Sequence, residues 1–419
     1  MPPPSYEELK REVEKAELLD NQFIQKLLET YRVLETLREN RVRKRQKQHI
    51  ANRIRAKVNQ YTRYPFKQRE LPPQTLDSNI LLGTSYTGSA YYYNEKHLLQ
   101  HLLIAASTGS GKTNTIYEIL EDLSVPFWNF DLKHDYRHLI KDRPEIIVIP
   151  DEKIRFNPLN PPPGVNENQW VATFSEIFTG AFDLLEGSSG FMRTLLKELY
   201  QEHDETPTLF DLQQKVQEPG ISHVLPTANY QDRIFWRIRG FRSDTEQMTN
   251  CRTGYSFRNL LKRNVVFEID GLPRTSQNFL MEILLAWIYQ YRKAQGQRGS
   301  QLRHITILDE GHTIFSWYKE QQEAAGMPEI DRLVKLMREF GESLVTADQE
   351  ASKLTDSIKA NTMTKILLAS GDRKQYEAIT ESMKLSDLQK QWSQLLDTGE
   401  AVIQHGSLTF SVEAERHLE

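Results

Sequence analysis

The run His101-Leu-Leu-Ile-Ala105 leading into Ala106-Ser-Thr-Gly-Ser-Gly-Lys-Thr113 restricts this chain more than any other stretch. The apolar run predicts a short strand, and the pattern from Thr113 to Leu123 predicts a helix behind the loop. The loop fits G-x-x-x-x-G-K-[ST], with Ala106 at the first glycine, where the strand end needs only a small residue. In such a loop the glycines let backbone N–H groups close on phosphate oxygens, and the helix N-terminus faces the anion. Thr108, Gly109, Ser110, Gly111, Lys112, Thr113 and Asn114 are the candidate nucleotide cradle. Lys112 is expected on the β- and γ-phosphates and the Thr113 hydroxyl on Mg²⁺, so ATP and Mg²⁺ are the expected cofactors. A chance Gly/Ser turn is the alternative, and the strand–loop–helix context argues against it.

A second pattern is His304-Ile-Thr-Ile-Leu-Asp-Glu310, an apolar strand ending in two carboxylates. Parallel strands present their C-terminal ends to the nucleotide crevice. There Asp309 is the candidate for the magnesium hydration shell and Glu310 for orienting the attacking water. A surface Asp-Glu turn is the bland reading. His312 reads either as a relay or as a local hydrogen-bonding residue. A third strand, Ser343-Leu-Val-Thr-Ala347, runs on through Asp348 to Gln349. If it lies beside the Asp309 strand, Gln349 would face the γ-phosphate; otherwise it is an ordinary strand-end residue.

Strands alternate with helices on both sides of these motifs, which predicts an α/β fold with a mostly parallel sheet. Expected strands are Val125–Phe130, Glu145–Ile149, Asn264–Ile269, His304–Leu308, Ser343–Ala347 and Lys365–Leu368, with Glu400–Gln404 and Leu408–Val412 closing the chain. The main helices between them are Ser276–Lys293 and Glu329–Phe340. Alternation breaks at Phe156-Asn-Pro-Leu-Asn-Pro-Pro-Pro-Gly164, and Glu167–Arg242 is mostly helical, an insertion. The expected division is a helical arm over 1–62, a linker with short strands over 63–99, core over 100–158, insertion over 159–255, and core with C-terminal strands over 256–419. The linker holds Tyr64-Pro65, Leu71-Pro-Pro73 and two short strands, Asn79–Gly83 and Ser89–Tyr93, around a Gly-rich turn.

The arm reads as helix over 5–60. Leu9, Val13, Ala16, Leu19, Phe23, Leu27, Tyr31, Leu34 and Leu37 recur at three-to-four spacing, with no proline or glycine from Ser5 to Tyr64. Its second part is basic, with Arg41, Arg43, Lys44, Arg45, Lys47, Arg53, Arg55 and Lys57. It reads as a nucleic-acid arm, a partner-binding coil, or a solvated face packed on its own protein. The whole chain has net charge −4, so any nucleic-acid site must be local. One cysteine, Cys251, excludes an internal disulfide and points to a reducing compartment, the cytoplasm. The most apolar stretch, Phe279–Tyr289, is short and interrupted by Glu282, so no membrane insertion is expected.

In their order these segments resemble the HerA–FtsK superfamily of ring-forming DNA-pumping ATPases. The resemblance is carried by Leu102–Thr113, Phe130-Asp-Leu-Lys133, Phe156-Asn-Pro-Leu159, Val265–Leu272, Leu308-Asp-Glu-Gly-His312, Met337–Gln349 and Ile358-Lys-Ala-Asn361. It covers roughly residues 79–412 and is nearest to HerA and the conjugative coupling ATPases. It implies a RecA-like core, a homo-oligomeric ring (a hexamer) with ATP at subunit interfaces, and duplex DNA in a central channel. It also implies an arginine supplied by the neighbouring subunit. Arg338 is the position that carries over, with Arg332 and Arg373 as substitutes and a helix-surface ion pair as the alternative. Asp131 and Lys133 would line the active site or the channel. Arg237, Arg239 and Arg242 are candidate DNA contacts, or else solvated residues. The resemblance implies a DNA translocase; a DNA secretion or packaging ATPase and an ATP-gated ring that recruits a nuclease or other effector are the rivals. The helical arm departs from the family, which begins with a β-barrel in HerA and with membrane helices in coupling ATPases.

Overall fold

The computed structural model describes residues 3–413 except 17, 20, 39, 63, 67–76, 86–88, 185, 219–224 and 317–328. The Leu71-Pro-Pro73 connector and the turn at 86–88 therefore lie outside the described residues. The chain forms two compact units. One comprises Met1–His97, Ile104–Leu123 and Met363–Glu419; the other comprises Leu98–Leu103 and Ser124–Thr362. The architecture is α/β.

In the first unit the arm is three helices, α1 (Tyr6–Lys15), α2 (Gln22–Thr36) and α3 (Arg41–Thr62), not one continuous helix. The breaks have local causes. Ser5 and Glu8 form a capping box at α1, and the Asn21 side chain accepts from Ile24 N–H to start α2. Asn40 accepts from Arg43 N–H at the start of α3. The apolar spacing that suggests one long helix equally suits three short ones folded on each other, and Leu9, Val13, Ile24, Tyr31, Ile50 and Ile54 are buried between them. The bundle is fastened to the C-terminal strands. Lys57 Nζ lies 2.5 Å from Glu400, both buried, and Asn21 donates to Glu413 at 3.1 Å.

Five strands of this unit pair antiparallel: β1 (Ile80–Thr84), β2 (Ala90–Tyr93), β9 (Thr364–Leu368), β10 (Glu400–His405) and β11 (Leu408–Glu413). Their order is β2-β1-β11-β10-β9, with registers such as Ile403↔Phe410 and Val402↔Leu367. The strand β3 (Leu102–Ala105) leads through the Gly-rich loop into the helix α4 (Lys112–Glu121), which packs on β1.

The second unit has a parallel sheet of β4 (Phe127–Asp131), β5 (Ile147–Pro150), β6 (Val265–Glu268), β7 (His304–Asp309) and β8 (Glu342–Asp348), in the order β8-β7-β4-β6-β5. β4, β6, β7 and β8 are buried throughout, as parallel strands covered on both faces must be. The insertion supplies α5 (Glu167–Ala181), α6 (Glu186–Glu202), α7 (Leu209–Val216), α8 (Leu225–Asp244) and α9 (Glu246–Thr249), and the short α10 (Phe257–Leu260) follows it before β6. It docks on α11 (Arg274–Ala294) through Phe279, whose ring lies 4.8 Å from Phe241 and 5.3 Å from Phe178. The predicted helix Glu329–Phe340 stays α-helical only to Met337. Arg338–Phe340 tighten into a 3-10 turn that Gly341, at φ 79°, closes. Among the described residues no helix is long and apolar enough to cross a membrane.

Candidate functional site

The loop after β3 has the backbone that phosphate binding requires. Gly109 and Gly111 have φ of 76° and 106°, and a Cβ on either would meet no atom within 4 Å. L-residues are strained there, so the two glycines permit the conformation and leave the space in front of it open. Gly111 is the N-cap of α4 and makes no side-chain cap bond, and an anion in front of the helix would meet its positive end. Ser107 pins the loop, donating its N–H to Ala369 O at 3.1 Å and accepting from Gly371 N–H at 3.0 Å. Ser110 turns its hydroxyl back onto Ser107 O at 2.7 Å. Lys112 is the first residue of α4 and is buried; Thr113 and Asn114 follow in its first turn. The residues present fit a nucleotide phosphate with its magnesium: open positive-φ glycines, a helix N-terminus with no side-chain cap, a lysine and a hydroxyl.

In the second unit four adjacent strands end in carboxylates: Asp131 on β4, Glu268 on β6, Asp309 on β7 and Asp348 on β8. Three are committed to structure. Asp131 accepts the backbone N–H groups of Lys133, Asp135 and Tyr136. Glu268 holds Arg137 through two bonds of 2.8 and 2.5 Å. Asp348 accepts His312 N–H at 2.6 Å and the His312 ring Nδ1 at 3.0 Å. Asp309 is buried at the end of β7, where it pairs in register with Ala347. Glu310 follows at φ 86° and ψ 58°, a left-handed conformation that costs a non-glycine residue about 1–3 kcal/mol. Its N–H donates to Ala347 O at 2.8 Å, and Gly311 lets the turn approach β8, since a Cβ there would lie 2.1 Å from Thr346 Cγ2. Lys133 Nζ meets Glu310 Oε1 at 2.6 Å. Burial opposes the Lys133 charge, but the Glu310 hydrogen bond and the charges of Asp309, Glu310 and Asp135 together hold its ammonium above the ordinary value.

The family model for the central domain of helicase HerA matches residues 80–288. The DNA double-strand break repair helicase HerA of Sulfolobus acidocaldarius is 26% identical over 325 residues, which are 73% of this chain and 62% of that protein. The chain belongs to the HerA–FtsK superfamily of P-loop ATPases. It spans less than two thirds of the curated relatives it matches, the HerA of Sulfurisphaera tokodaii included, at 23% identity and 62% of that length. Among solved structures, VirB4 of Thermoanaerobacter pseudethanolicus superposes with TM-score 0.63 at 18% identity, over 82% of this chain and 98% of that one. The plasmid coupling protein TrwB in complex with ADP and Mg²⁺ gives TM-score 0.58 at 14% identity, over 82% and 90%. At these identities the likeness is one of fold, the RecA-like architecture.

In this HerA–FtsK chain the three candidate arginines differ in their commitments. Arg332 is held by Glu329 through bonds of 2.7 and 2.5 Å, and Arg373 by Glu377 at 2.7 Å. Arg338 is exposed and forms no ion pair with any described residue; it lines an open cavity of about 660 Å³ with Leu99, Gln100, Arg298 and Ser300. β8 does lie beside β7, which satisfies the condition set for Gln349, the residue after Asp348. His312 sits in a network: its Nε2 is 3.0 Å from Arg274 Nη2 and 3.1 Å from Glu350 Oε2. In the insertion, Arg242 is bonded to Gln213 and lies over Phe210 at 4.7 Å. Arg237 and Arg239 face solvent, Arg239 over the exposed Trp236 ring at 5.2 Å. The Lys133–Glu310 pair and the Arg274–His312–Asp348 network are the groupings that sequence reasoning missed. The only signal for either was a polar residue just past an apolar strand.

Proposed function

We propose that this chain hydrolyses ATP to drive movement along duplex DNA, as a ring-forming motor with ATP held at interfaces between copies, most simply six. The reading is carried by the loop Ala106–Thr113, with its two open positive-φ glycines at an uncapped helix N-terminus. Thr108 to Asn114 cradle the phosphates and Lys112 neutralises the β- and γ-oxygens. Magnesium, when bound, offsets phosphate charge; Thr113 and Asp309 are the residues that would hold it and its waters. Glu310 accepts the proton of the attacking water, and Lys133 fixes the carboxylate that does so. Arg338 serves the site of a neighbouring copy, a role supported by its lack of an ion pair with any described residue. Gln349 reports the γ-phosphate state. DNA contacts are to the backbone, with Arg237 and Arg239 beside Trp236 as candidates and Arg242 contributing mainly to the insertion's packing. The working compartment on this reading is the cytoplasm.

A DNA secretion or packaging role is the second reading, favoured by the likeness in fold to TrwB and VirB4. An ATP-gated ring that recruits a nuclease or other effector is the third. ATP hydrolysis measured against duplex-DNA concentration separates the first two from the third: stimulation supports a DNA motor, and indifference supports the recruiting ring.

A further inference from the structure

The helix α3 (Arg41–Thr62) carries eight cations and no aspartate or glutamate. Its two halves use those cations differently. In the second half they are structural: Lys57 meets Glu400 and Asp397, Arg55 grips Glu12 at 2.7 Å, and Arg53 lies over the Phe23 ring at 5.1 Å. In the first half Arg41, Lys44 and Arg45 are exposed and form no ion pair with any described residue. Arg43, whose guanidinium reaches Arg38 O at 2.5 Å, flanks them. The cluster stands at the positive end of the helix dipole, with no acidic residue in the first turn. Within α3 that placement is unfavourable, because the like charges and the dipole both oppose it. A bound polyanion would reverse the sign of both effects. Down the same face Gln48 and Asn52, bonded to each other at 3.0 Å, continue the row at helical spacing from Arg41 and Arg45.

We propose that the first two turns of α3 are a phosphate-backbone binding surface for duplex DNA, held rigid by the anchors of the second half. A chain with net charge −4 concentrates its positive field here, which is the footprint of a local nucleic-acid site. A membrane-surface helix would need an apolar face next to the cations, and among the exposed residues of α3 from Arg41 to Asn52 only Val42 is apolar. The surface needs neither ATP nor a ring, so it stands or falls apart from the motor reading.

The test is an anisotropy titration of a labelled duplex with the full chain, without nucleotide, between about 50 and 200 mM salt. The triple variant Arg41→Glu, Lys44→Glu, Arg45→Glu is compared with the unaltered chain. Loss of three phosphate contacts is expected to reduce the slope of log affinity against log salt by about 2.7, and to weaken binding at low salt more than about tenfold. Unchanged affinity and slope overturn the proposal. So does binding of phosphatidylserine vesicles that the variant loses while it keeps its duplex affinity. Melting temperature is expected to hold or rise, since the cluster does not stabilise the fold. Should it fall, the glutamine variants at the same three positions decide: unchanged melting with the lower slope upholds the surface, and an unchanged slope overturns it. DNA-independent ATP hydrolysis in the same samples is expected to stay at the unaltered level and reads the ATPase separately.

Discussion

Lys133 Nζ and Glu310 Oε1 stand 2.6 Å apart, joining the loop after β4 to the turn after β7. The two strands are parallel neighbours, with Phe130 opposite Leu308, so the pair ties their C-terminal ends together. Glu310 is already confined by its positive φ and by its N–H bond to Ala347. A carboxylate fixed at both backbone and side chain pays little ordering entropy when it is needed. Lys133→Met should therefore lower ATP turnover by roughly 10- to 100-fold with little change in KM, since it removes positioning and not substrate binding. Steady-state kinetics check this. A rise in kcat would mean that Lys133 restrains Glu310 instead.

The phosphate loop makes a graded prediction. Lys112→Ala should abolish hydrolysis. Gly111→Ala adds a methyl group into open space, so its cost is conformational, about 1–3 kcal/mol from a φ of 106°. The expected result is a folded protein with nucleotide affinity reduced about tenfold or more, measured with a fluorescent ATP analogue. Affinity equal to the unaltered chain would place the phosphates elsewhere.

How far the sequence shows these arrangements varies with their range. β4 to β8 were legible because each is a short apolar run with a polar residue at or just past its end, and their parallel pairing follows from the helical segments between them. The loop and the Asp309-Glu310 pair were legible for the same reason: backbone requirements are written in consecutive residues. The three-part arm was not, because Asn21 and Asn40 as caps interrupt no apolar period. Nor was the partner of Glu310, because a contact between distant segments leaves no local pattern.

The arm's attachment rests on a buried ion pair, Lys57 with Glu400, whose side chains are 6% and 7% exposed. Removing Lys57 takes from the buried Glu400 carboxylate its cation and leaves it the Asp397 N–H at 2.8 Å, a loss of up to about 3–5 kcal/mol. Lys57→Met should lower stability to urea by that order and open α3 to limited proteolysis. Lys57→Met with Glu400→Leu should recover much of the loss. An arm equally resistant in the single variant would contradict this anchor.

Acid should weaken the second unit in two stages. His101 is buried with its Nδ1 accepting from Leu344 N–H and its Nε2 donating to Val334 O, each at 3.1 Å. Burial, helped by the Arg338 charge, outweighs the Val334 carbonyl and pushes the imidazole down to about 4. Its folded value lies below the ordinary 6.5, so the stability it lends is complete above that pH and is lost as pH falls toward 4. Glu342 follows. Burial opposes its charge, but His304 and Arg292 together hold the carboxyl below its ordinary value of 4.5. Its contribution is present above 4.5 and lost below. Urea denaturation at pH values from about 7 to 4 should show the first loss, and His101→Asn should flatten it.

The central claim is tested most directly by ATP hydrolysis against duplex-DNA concentration for the unaltered chain and for Glu310→Gln. We expect duplex DNA to stimulate the unaltered chain, and Glu310→Gln to bind ATP yet turn over at least about 100-fold more slowly at every DNA concentration. Hydrolysis that ignores DNA, or a Glu310→Gln variant that keeps its rate, would contradict the account.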